Sequence, residues 1–156
     1  MSDISNFEVL SDAECRRLLA QQTVGRVAFM GVGGYPVVVP VNYVIDGDVI
    51  AFRTSPGEKF ESIPMTRVAF QVDGFDPSRR CGWSVLAQGT GQDMTEALGV
   101  RYDGLRQRTM SPWAPGVKSL WLAIDVKLVS GRRILATGDP DCSWFQAYDW
   151  QTDRAT

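Results

Sequence analysis

A loop near the middle of the chain carries residue types that together could bind an anion. It reads F-R-T-S-P-G-E-K and contains Arg53, Thr54, Ser55, Gly57 and Lys59. An arginine fork and a lysine ammonium suit a phosphate, and two hydroxyls can add hydrogen bonds. A glycine lets the backbone turn close to a ligand. The loop is therefore a candidate phosphate site, and an ordinary polar loop after a hairpin is the competing interpretation.

Two β-type runs lead into this loop and are predicted to form a hairpin. Residues 35–45 read Y-P-V-V-V-P-V-N-Y-V-I, and residues 49–53 return after Asp46-Gly47. An Asp-Gly pair is typical of a two-residue hairpin turn. The apolar strands can wall a flat ring beside the anion. Phosphate and ring together favour a nucleotide-like cofactor.

Two prolines interrupt the first of these runs. Pro36 and Pro40 cannot donate to a sheet ladder, so this strand should have an unpaired side or a bulge. Such an irregularity leaves backbone groups available to a ligand. We expect backbone near Pro40, Val41 and Asn42 to hydrogen-bond the polar edge of a ring, while the strand also forms part of the core.

Two tryptophans have positions that suit either packing or ligand contact. Trp83 lies in G-W-S-V-L-A-Q-G, where it can fill the core or, with Ser84 beside it, stack on a planar ligand. Trp113 lies in the loop S-P-W-A-P-G, where it can pack on a dimer partner or close over the ligand. Both interpretations stay open for each tryptophan.

The composition excludes several kinds of catalytic site. The 156 residues include no histidine, which removes Ser-His and Cys-His catalysis, histidine-ligated metals and haem with a proximal histidine. Cys15, Cys81 and Cys142 form neither a zinc spacing nor a disulfide framework. The carboxylates offer no persuasive acid–base pair. We therefore expect the chemistry to come from a bound cofactor.

The charge and hydropathy of the chain restrict the kinds of partner and the cellular location that we expect. A net charge of −2 argues against a broad surface for nucleic acid or an anionic membrane. No apolar run approaches the roughly 20 residues of a membrane span, and the acidic start lacks a signal-peptide pattern. We expect a cytoplasmic protein that binds a small molecule.

The remaining patterns predict a mainly β fold with flanking helices. Ser11 followed by Glu14 is a capping-box pattern, so a helix should run over residues 12–22. Short turns join the early strands, which favours a six-stranded antiparallel sheet curled into a small barrel. The predicted strands cover residues 24–30, 35–45, 49–53, 67–73, 82–93 and 120–129.

Two further helical segments and a tail complete this interpretation. A short helical turn is predicted over residues 56–63 and a longer helix over residues 95–108. We expect one barrel domain over residues 1–136. Residues 137–156 form an aromatic-rich tail that should pack on the barrel or on a dimer partner.

Taken in order, these motifs make the chain resemble the pyridoxamine 5′-phosphate oxidase-like family of FMN-binding split β-barrels, and its small actinobacterial-type members in particular. The resemblance covers residues 10–135. It rests on the order and spacing of V-G-R-V-A, Y-P-V-V-V-P-V-N-Y, D-G-D-V-I-A-F-R-T-S-P-G-E-K, V-A-F-Q-V-D, G-W-S-V-L-A-Q-G-T-G, S-P-W-A-P-G and S-L-W-L-A-I-D-V.

The resemblance implies a homodimer with FMN in a cleft between the subunits. It implies that the 53–59 loop holds the phosphate, that the strand around residue 40 lines the isoalloxazine, and that the tryptophans complete the pocket, with Trp113 coming from the other subunit. It assigns no catalytic residue. The implied cofactor-binding residues are Val39, Pro40, Val41, Asn42, Phe52, Arg53, Thr54, Ser55, Lys59, Trp83, Ser84 and Trp113.

Departures from the family pattern narrow the expected activity. The oxidase that names the family binds its substrate partly through a histidine near the C-terminus, and haem-degrading members usually need a histidine ligand. This chain has none, so both activities are disfavoured. We expect an FMN-dependent oxidoreductase acting on a small organic molecule. The alternatives are a non-enzymatic flavin-binding module and a deazaflavin-dependent reductase, which Arg79, Arg80, Arg132 and Arg133 keep open despite the net acidity.

Overall fold

The chain is described by a computed structural model over residues 7–96, 100–108 and 111–135. The predicted aromatic tail at residues 137–156 lies outside this part of the chain, so the domain boundary near residue 136 stays a prediction. No helix in the described residues combines the length and the apolar character needed to cross a membrane.

The described residues contain three helices, each inside a segment predicted to be helical. The first, α1, begins with the predicted capping box: the Ser11 hydroxyl accepts from the Glu14 N–H at 3.2 Å, and the Glu14 carboxylate accepts from the Ser11 N–H at 3.1 Å. These bonds from Ser11 lower the pKa of the Glu14 carboxyl. The helices are α1 (Asp12–Gln21), α2 (Glu58–Ser62) and α3 (Val100–Arg106).

Eight strands in the described residues form one sheet, which runs in the order β3-β2-β6-β7-β8-β5-β4, with β1 also paired to β8. Every pairing between strands is antiparallel. The strands are β1 (Phe7–Val9), β2 (Val24–Met30), β3 (Pro36–Asn42), β4 (Val44–Asp46), β5 (Val49–Thr54), β6 (Arg67–Asp76), β7 (Cys81–Asp93) and β8 (Leu120–Ile134).

The mainly β, antiparallel architecture with flanking helices confirms the predicted fold class. The sheet has two more strands than predicted. The short β1 was missed, and the predicted run over residues 35–45 divides at Tyr43. That side chain is buried, and its hydroxyl donates to the Leu19 carbonyl of α1, so the strand bends where Tyr43 enters the core.

Two apolar clusters hold the sheet together, one on each face of β5. Ile50 and Phe52 belong to the main core, which the curled sheet encloses with α1. Val49 and Ala51 belong to a smaller cluster that includes Leu105 of α3. Because side chains alternate along a strand, residues 50, 52 and 54 of β5 share one face, and residues 49, 51 and 53 share the other.

The predicted unpaired side of β3 is confirmed. Within the described residues β3 pairs with β2 alone, and it forms one edge of the sheet. The curled sheet brings β3 close to β5, although the two strands do not pair. The gap between them is the split of the barrel.

Candidate functional site

A small cavity lies where β5 ends, beside the edge strand β3. Its volume is about 140 Å³. It brings together the predicted Val39, Thr54, Ser55, Gly57 and Lys59. Gly57 has φ of +146°, a backbone conformation that favours glycine, and it turns the chain from β5 into α2. The full lining is Phe29, Val37, Val39, Thr54, Ser55, Pro56, Gly57, Glu58, Lys59 and Lys118.

Two lysines give this cavity its positive charge. Lys59 is half-buried, and its ammonium forms neither an ion pair nor a hydrogen bond within the described part of the chain. Lys118 Nζ donates to Ser55 Oγ at 3.1 Å. The single carboxylate in the lining, Glu58, accepts from the Val32 N–H at 3.2 Å. Two lysines against one carboxylate leave the cavity with a net positive charge, which favours an anionic ligand.

Lys118 is a site residue that the sequence interpretation missed. It lies in the loop before β8, far from Lys59 in the sequence. The ladder between β5 and β8 pairs Thr54 with Leu120, and this pairing brings the loop beside Ser55. A prediction that β5 pairs with the strong strand at residues 120–129 would have revealed Lys118.

Thr54 and Arg53 point to opposite faces of β5. Thr54 lines the cavity, is 2% exposed, and donates its hydroxyl to the Ser55 carbonyl at 3.1 Å. The Arg53 guanidinium lies over the Trp121 ring, 5.7 Å from its centroid, and does not line the cavity. Arg53 Nε is buried without a hydrogen-bond partner. The two side chains that the sequence assigned to one phosphate are therefore on different faces of the strand.

The β3 residues predicted to contact the ring fall into two groups, according to whether their backbone groups bond to β2. Gly31 N–H donates to the Tyr35 carbonyl at 2.9 Å, and Tyr43 N–H donates to the Thr23 carbonyl at 3.3 Å. These two bonds lie at the ends of the β2–β3 ladder and identify its odd-numbered β3 residues as the hydrogen-bonded ones. Even-numbered residues therefore direct their amide and carbonyl groups away from β2.

Because the even-numbered residues of β3 do not bond to β2, the strand tolerates two prolines there. The same alternation determines which of the predicted residues can bond a ring through their backbone. Pro36 and Pro40 occupy even positions, where no ladder donor is required. Val39 and Val41 use their backbone groups in the ladder. The Pro40 carbonyl and both backbone groups of Asn42 face away from β2, so they are the members of the predicted set that can bond the edge of a ring.

A loop crosses the split between the ends of β3 and β5. At one end the Trp113 N–H donates to Asn42 Oδ1 at 2.9 Å. At the other end the Ser55 hydroxyl donates to the Val117 carbonyl at 2.9 Å. The Trp113 side chain is 76% exposed beside the end of β3. The structure therefore brings Trp113 and Asn42 together, as a site at this end would need.

Three predicted residues lie away from the cavity in a single chain. Phe52 is fully buried in the main core, and Trp83 is 3% exposed in the same cluster. The Trp83 indole packs on Gly74, and its buried Nε1 has no hydrogen-bond partner. Ser84 lies on the outer face, paired with Asp73 and Arg132.

The distance along β7 separates Trp83 from the cavity. Ala28, next to the cavity residue Phe29, is level with Gln88 through the ladders of β2, β6 and β7. Trp83 lies about 17 Å along the strand from Gln88, at ~3.4 Å per residue. In one chain the cavity and Trp83 therefore belong to opposite ends of the barrel.

The family profile of pyridoxamine 5′-phosphate oxidase matches residues 11–133, which is most of the described chain. The chain belongs to this family. An uncharacterized protein of Mycobacterium tuberculosis is 35% identical over 130 residues, covering 79% of this chain and 82% of that protein. The family resemblance inferred from the motifs is therefore confirmed.

Solved structures of other bacterial proteins share the fold. The FAD-binding protein of Mesorhizobium loti is 29% identical, with a TM-score of 0.65, over 81% of this chain and 97% of that chain. A protein of unknown function from Corynebacterium diphtheriae is 26% identical, with a TM-score of 0.66, over 83% of this chain and 99% of that chain. These likenesses agree with the split β-barrel.

Proposed function

We propose that this family member is a flavoprotein that binds FMN and acts as an oxidoreductase on a small organic molecule. The observation that carries the proposal is the cavity in the split, where Lys59 and Lys118 lie beside the Thr54 and Ser55 hydroxyls. A phosphate needs this combination of cations and hydroxyls. The Mesorhizobium loti relative is an FAD-binding protein, which supports a flavin.

Each part of the cofactor has a group suited to it. Lys59 and Lys118 would neutralise the phosphate. The Thr54 and Ser55 hydroxyls, which here donate to backbone carbonyls, would turn to donate to it. The Pro40 carbonyl can accept a hydrogen bond from a ring N–H, and the Asn42 N–H can donate to a ring carbonyl. A bound flavin supplies hydride or electron transfer. The protein contributes binding, orientation and the exclusion of water from the split.

The proposed active form is a homodimer. Four apolar side chains around the β2–β3 hairpin are exposed, an arrangement typical of an interface. Trp83 and Ser84 are remote from the cavity in one chain, so any contact of Ser84 with the flavin has to come from a second copy. The exposed side chains are Met30 at 56%, Val32 at 74%, Tyr35 at 80% and Val38 at 61%.

A deazaflavin coenzyme is the second candidate cofactor. Most of the arginines that could bind its anionic tail make other contacts. Arg79 pairs with Asp76 at 3.9 Å, and Arg133 pairs with Glu8 at 3.1 Å. Arg132 lies over the Phe7 ring. These contacts reduce the support for a cationic groove along an anionic coenzyme tail, and they favour FMN.

The first test is the absorbance spectrum of the purified protein, followed by titration with FMN, FAD and a deazaflavin coenzyme. We expect a yellow protein, or a colourless one that FMN loads with quenching of flavin fluorescence. Tight deazaflavin binding without FMN binding would reassign the cofactor, and tighter binding of FAD than FMN would replace FMN by FAD. Colourless protein that no flavin loads would refute flavin binding.

A second measurement separates an enzyme from a binding module. The loaded protein is mixed with NADH or NADPH without oxygen, and the flavin absorbance is followed; dithionite provides the fully reduced reference. Reduction by a nicotinamide cofactor, followed by reoxidation by an organic acceptor, supports the oxidoreductase. Flavin that only dithionite reduces would support the binding module.

A further inference from the structure

The loop over residues 113–117, which crosses the split, is attached by a hydrogen bond at each end. The Trp113 N–H donates to Asn42 Oδ1, and the Val117 carbonyl accepts from the Ser55 hydroxyl, both at 2.9 Å. All five residues of the loop are exposed, so side-chain packing does little to hold it between these two bonds. We call residues 113–117 the strap.

The two ends of the strap differ in backbone freedom. Pro112 and Pro115 flank the Trp113 end, and a proline ring fixes φ near about −65°. At the other end Gly116 has φ of +95°, and nothing lies within 4 Å of a Cβ there. A glycine in open space can change its backbone angles at little cost. Gly116 is therefore the joint at which the Val117 end can move.

The Ser55 hydroxyl connects the Val117 end of the strap to the cavity in the split. It donates to the Val117 carbonyl and accepts from Lys118 Nζ at 3.1 Å. Ser55 and Lys118 line the cavity, whereas Val117 does not. A serine hydroxyl has a single proton, so it can donate to one acceptor at a time. In this structure that proton holds the strap.

A phosphate in the cavity competes with the Val117 carbonyl for the Ser55 proton. Ionised phosphate oxygens are acceptors, so Ser55 can bond to them only by donating. A hydrogen bond to a charged acceptor is roughly twice as strong as one to a neutral carbonyl. The Ser55 hydroxyl should therefore turn from the strap to the phosphate. The bond between Trp113 and Asn42 does not involve Ser55, so the other end of the strap stays attached.

We propose that Ser55 couples occupancy of the phosphate site to the mobility of the strap: a bound phosphate takes the Ser55 proton and releases the Val117 end, while the Trp113 end remains on Asn42. The proposal rests on the proposed function in taking this phosphate to be that of FMN. Ser55 and Val117 belong to one chain, so the coupling operates within each subunit of the proposed homodimer. The coupling is reciprocal, and a closed strap weakens phosphate binding.

The test is ¹⁵N relaxation of the full-length protein in phosphate-free buffer, read at the amides of Trp113 and Val117. Without ligand we expect both order parameters near the rigid value of about 0.85, and saturating FMN should lower the Val117 value below about 0.6. The Trp113 value should not change. Riboflavin has the same ring without the phosphate and should leave both amides ordered. Quenching of flavin fluorescence in the same samples reports ring binding.

Three variants separate the coupling from a merely structural role of Ser55. Ser55→Ala lacks the proton, so the Val117 amide should be mobile without ligand and FMN should cause no further change. Ser55→Thr keeps a hydroxyl and should retain the FMN-dependent release. Ser119→Ala is the matched control, because it removes an exposed hydroxyl just after the strap, and it should behave as wild type. Circular dichroism would verify folding of each variant.

Inorganic phosphate separates this inference from the proposed function. It has no ring, and it should release Val117 by itself. If no flavin binds but inorganic phosphate releases Val117, FMN is refuted as the ligand and the coupling stands. If FMN binds with quenched fluorescence while Val117 stays ordered, the coupling is overturned and flavin binding stands.

Three further outcomes would overturn the coupling. The first is equal release of Val117 by riboflavin and by FMN, which would assign the effect to the ring. The second is an ordered Val117 amide in ligand-free Ser55→Ala, which would show that another contact holds the strap. The third is an unchanged Val117 amide with both FMN and inorganic phosphate.

Discussion

The cavity in the split and a larger concavity on the outer face of β2, β3, β6, β7 and β8 both present cations, yet they differ in size and in how those cations are held. We call the larger concavity the outer groove. The cavity has about 140 Å³ and the groove about 680 Å³. Lys118 is tied to Ser55 by a hydrogen bond, whereas Lys127 is directed by a bulge and remains exposed. The cavity suits one phosphate, whereas the groove includes Met30, an exposed apolar side chain of the proposed dimer interface.

The comparison shows two ways in which one sheet forms a concave surface. The cavity forms where a loop closes the end of the barrel, so most of its residues are close in sequence. The groove forms across five strands, so its residues come together through long-range pairing. Phe29 lines both concavities, so variants at the other lining residues are the ones that separate them. The following predictions begin with the largest effect.

Gly89→Ala should break the outer groove through the fold itself. The added methyl group meets backbone that cannot move aside, so we expect a loss of about 3 kcal/mol in the free energy of unfolding. Urea denaturation measures it. Gly33→Ala is the control, because nothing lies within 4 Å of a Cβ there. Wild-type stability for Gly89→Ala would contradict the tight bulge.

Lys59→Ala should break the cavity without affecting the groove. Removing a charged hydrogen-bond donor from a phosphate costs about 2–3 kcal/mol, so flavin affinity should fall roughly 30- to 150-fold. Fluorescence titration with FMN measures the change. Lys127→Ala is the control and should retain flavin affinity, because Lys127 does not line the cavity. Equal flavin affinity for Lys59→Ala and wild type would remove the phosphate from this cavity.

Lys118→Met should produce a smaller loss at the cavity. Methionine keeps much of the apolar stem but removes the ammonium that reaches Ser55, and we expect flavin affinity to fall about tenfold, or about 1.4 kcal/mol. Ser55→Ala tests the same contact from the other side and should also loosen the loop that carries Trp113. If Lys118→Met binds flavin as wild type does, Lys59 alone provides the charge.

Arg53→Met should have the smallest effect on flavin affinity, below about threefold, since Arg53 lies on the face of β5 away from the cavity. Methionine can still pack on Trp121, and it removes a buried Nε that lacks a partner. Stability should therefore be unchanged or slightly higher. A loss of affinity as large as that of Lys59→Ala would restore Arg53 as a phosphate ligand.

The local features of the sequence were sufficient for most of the fold. The capping box at Ser11, the Asp46-Gly47 turn and the two prolines predicted a helix, a hairpin and an edge strand, and the structure contains all three. The hairpin is shorter than predicted, because only Val44–Asp46 of the first run pairs with β5. The order of the motifs predicted the family, which the profile match confirms. These features are short-range, so a linear pattern contains them.

The site was predicted less completely because its parts depend on pairing between distant strands. Lys118 joins the cavity through the ladder of β5 with β8, and Lys127 enters the groove through a bulge between β7 and β8. Trp83 looked suited to a ligand in sequence, but in one chain it fills the core at the other end of the barrel. Its contact with a flavin stays a prediction for the dimer.

The sequence by itself determined which residue types were available and where strands, turns and caps begin. It also excluded histidine chemistry, because the chain has no histidine. The tertiary structure decided which face each side chain occupies. A strand alternates its faces every residue, so one step separates Thr54 in the cavity from Arg53 over Trp121. The face that each residue occupies is set by its register with distant strands, and only the folded sheet specifies that register.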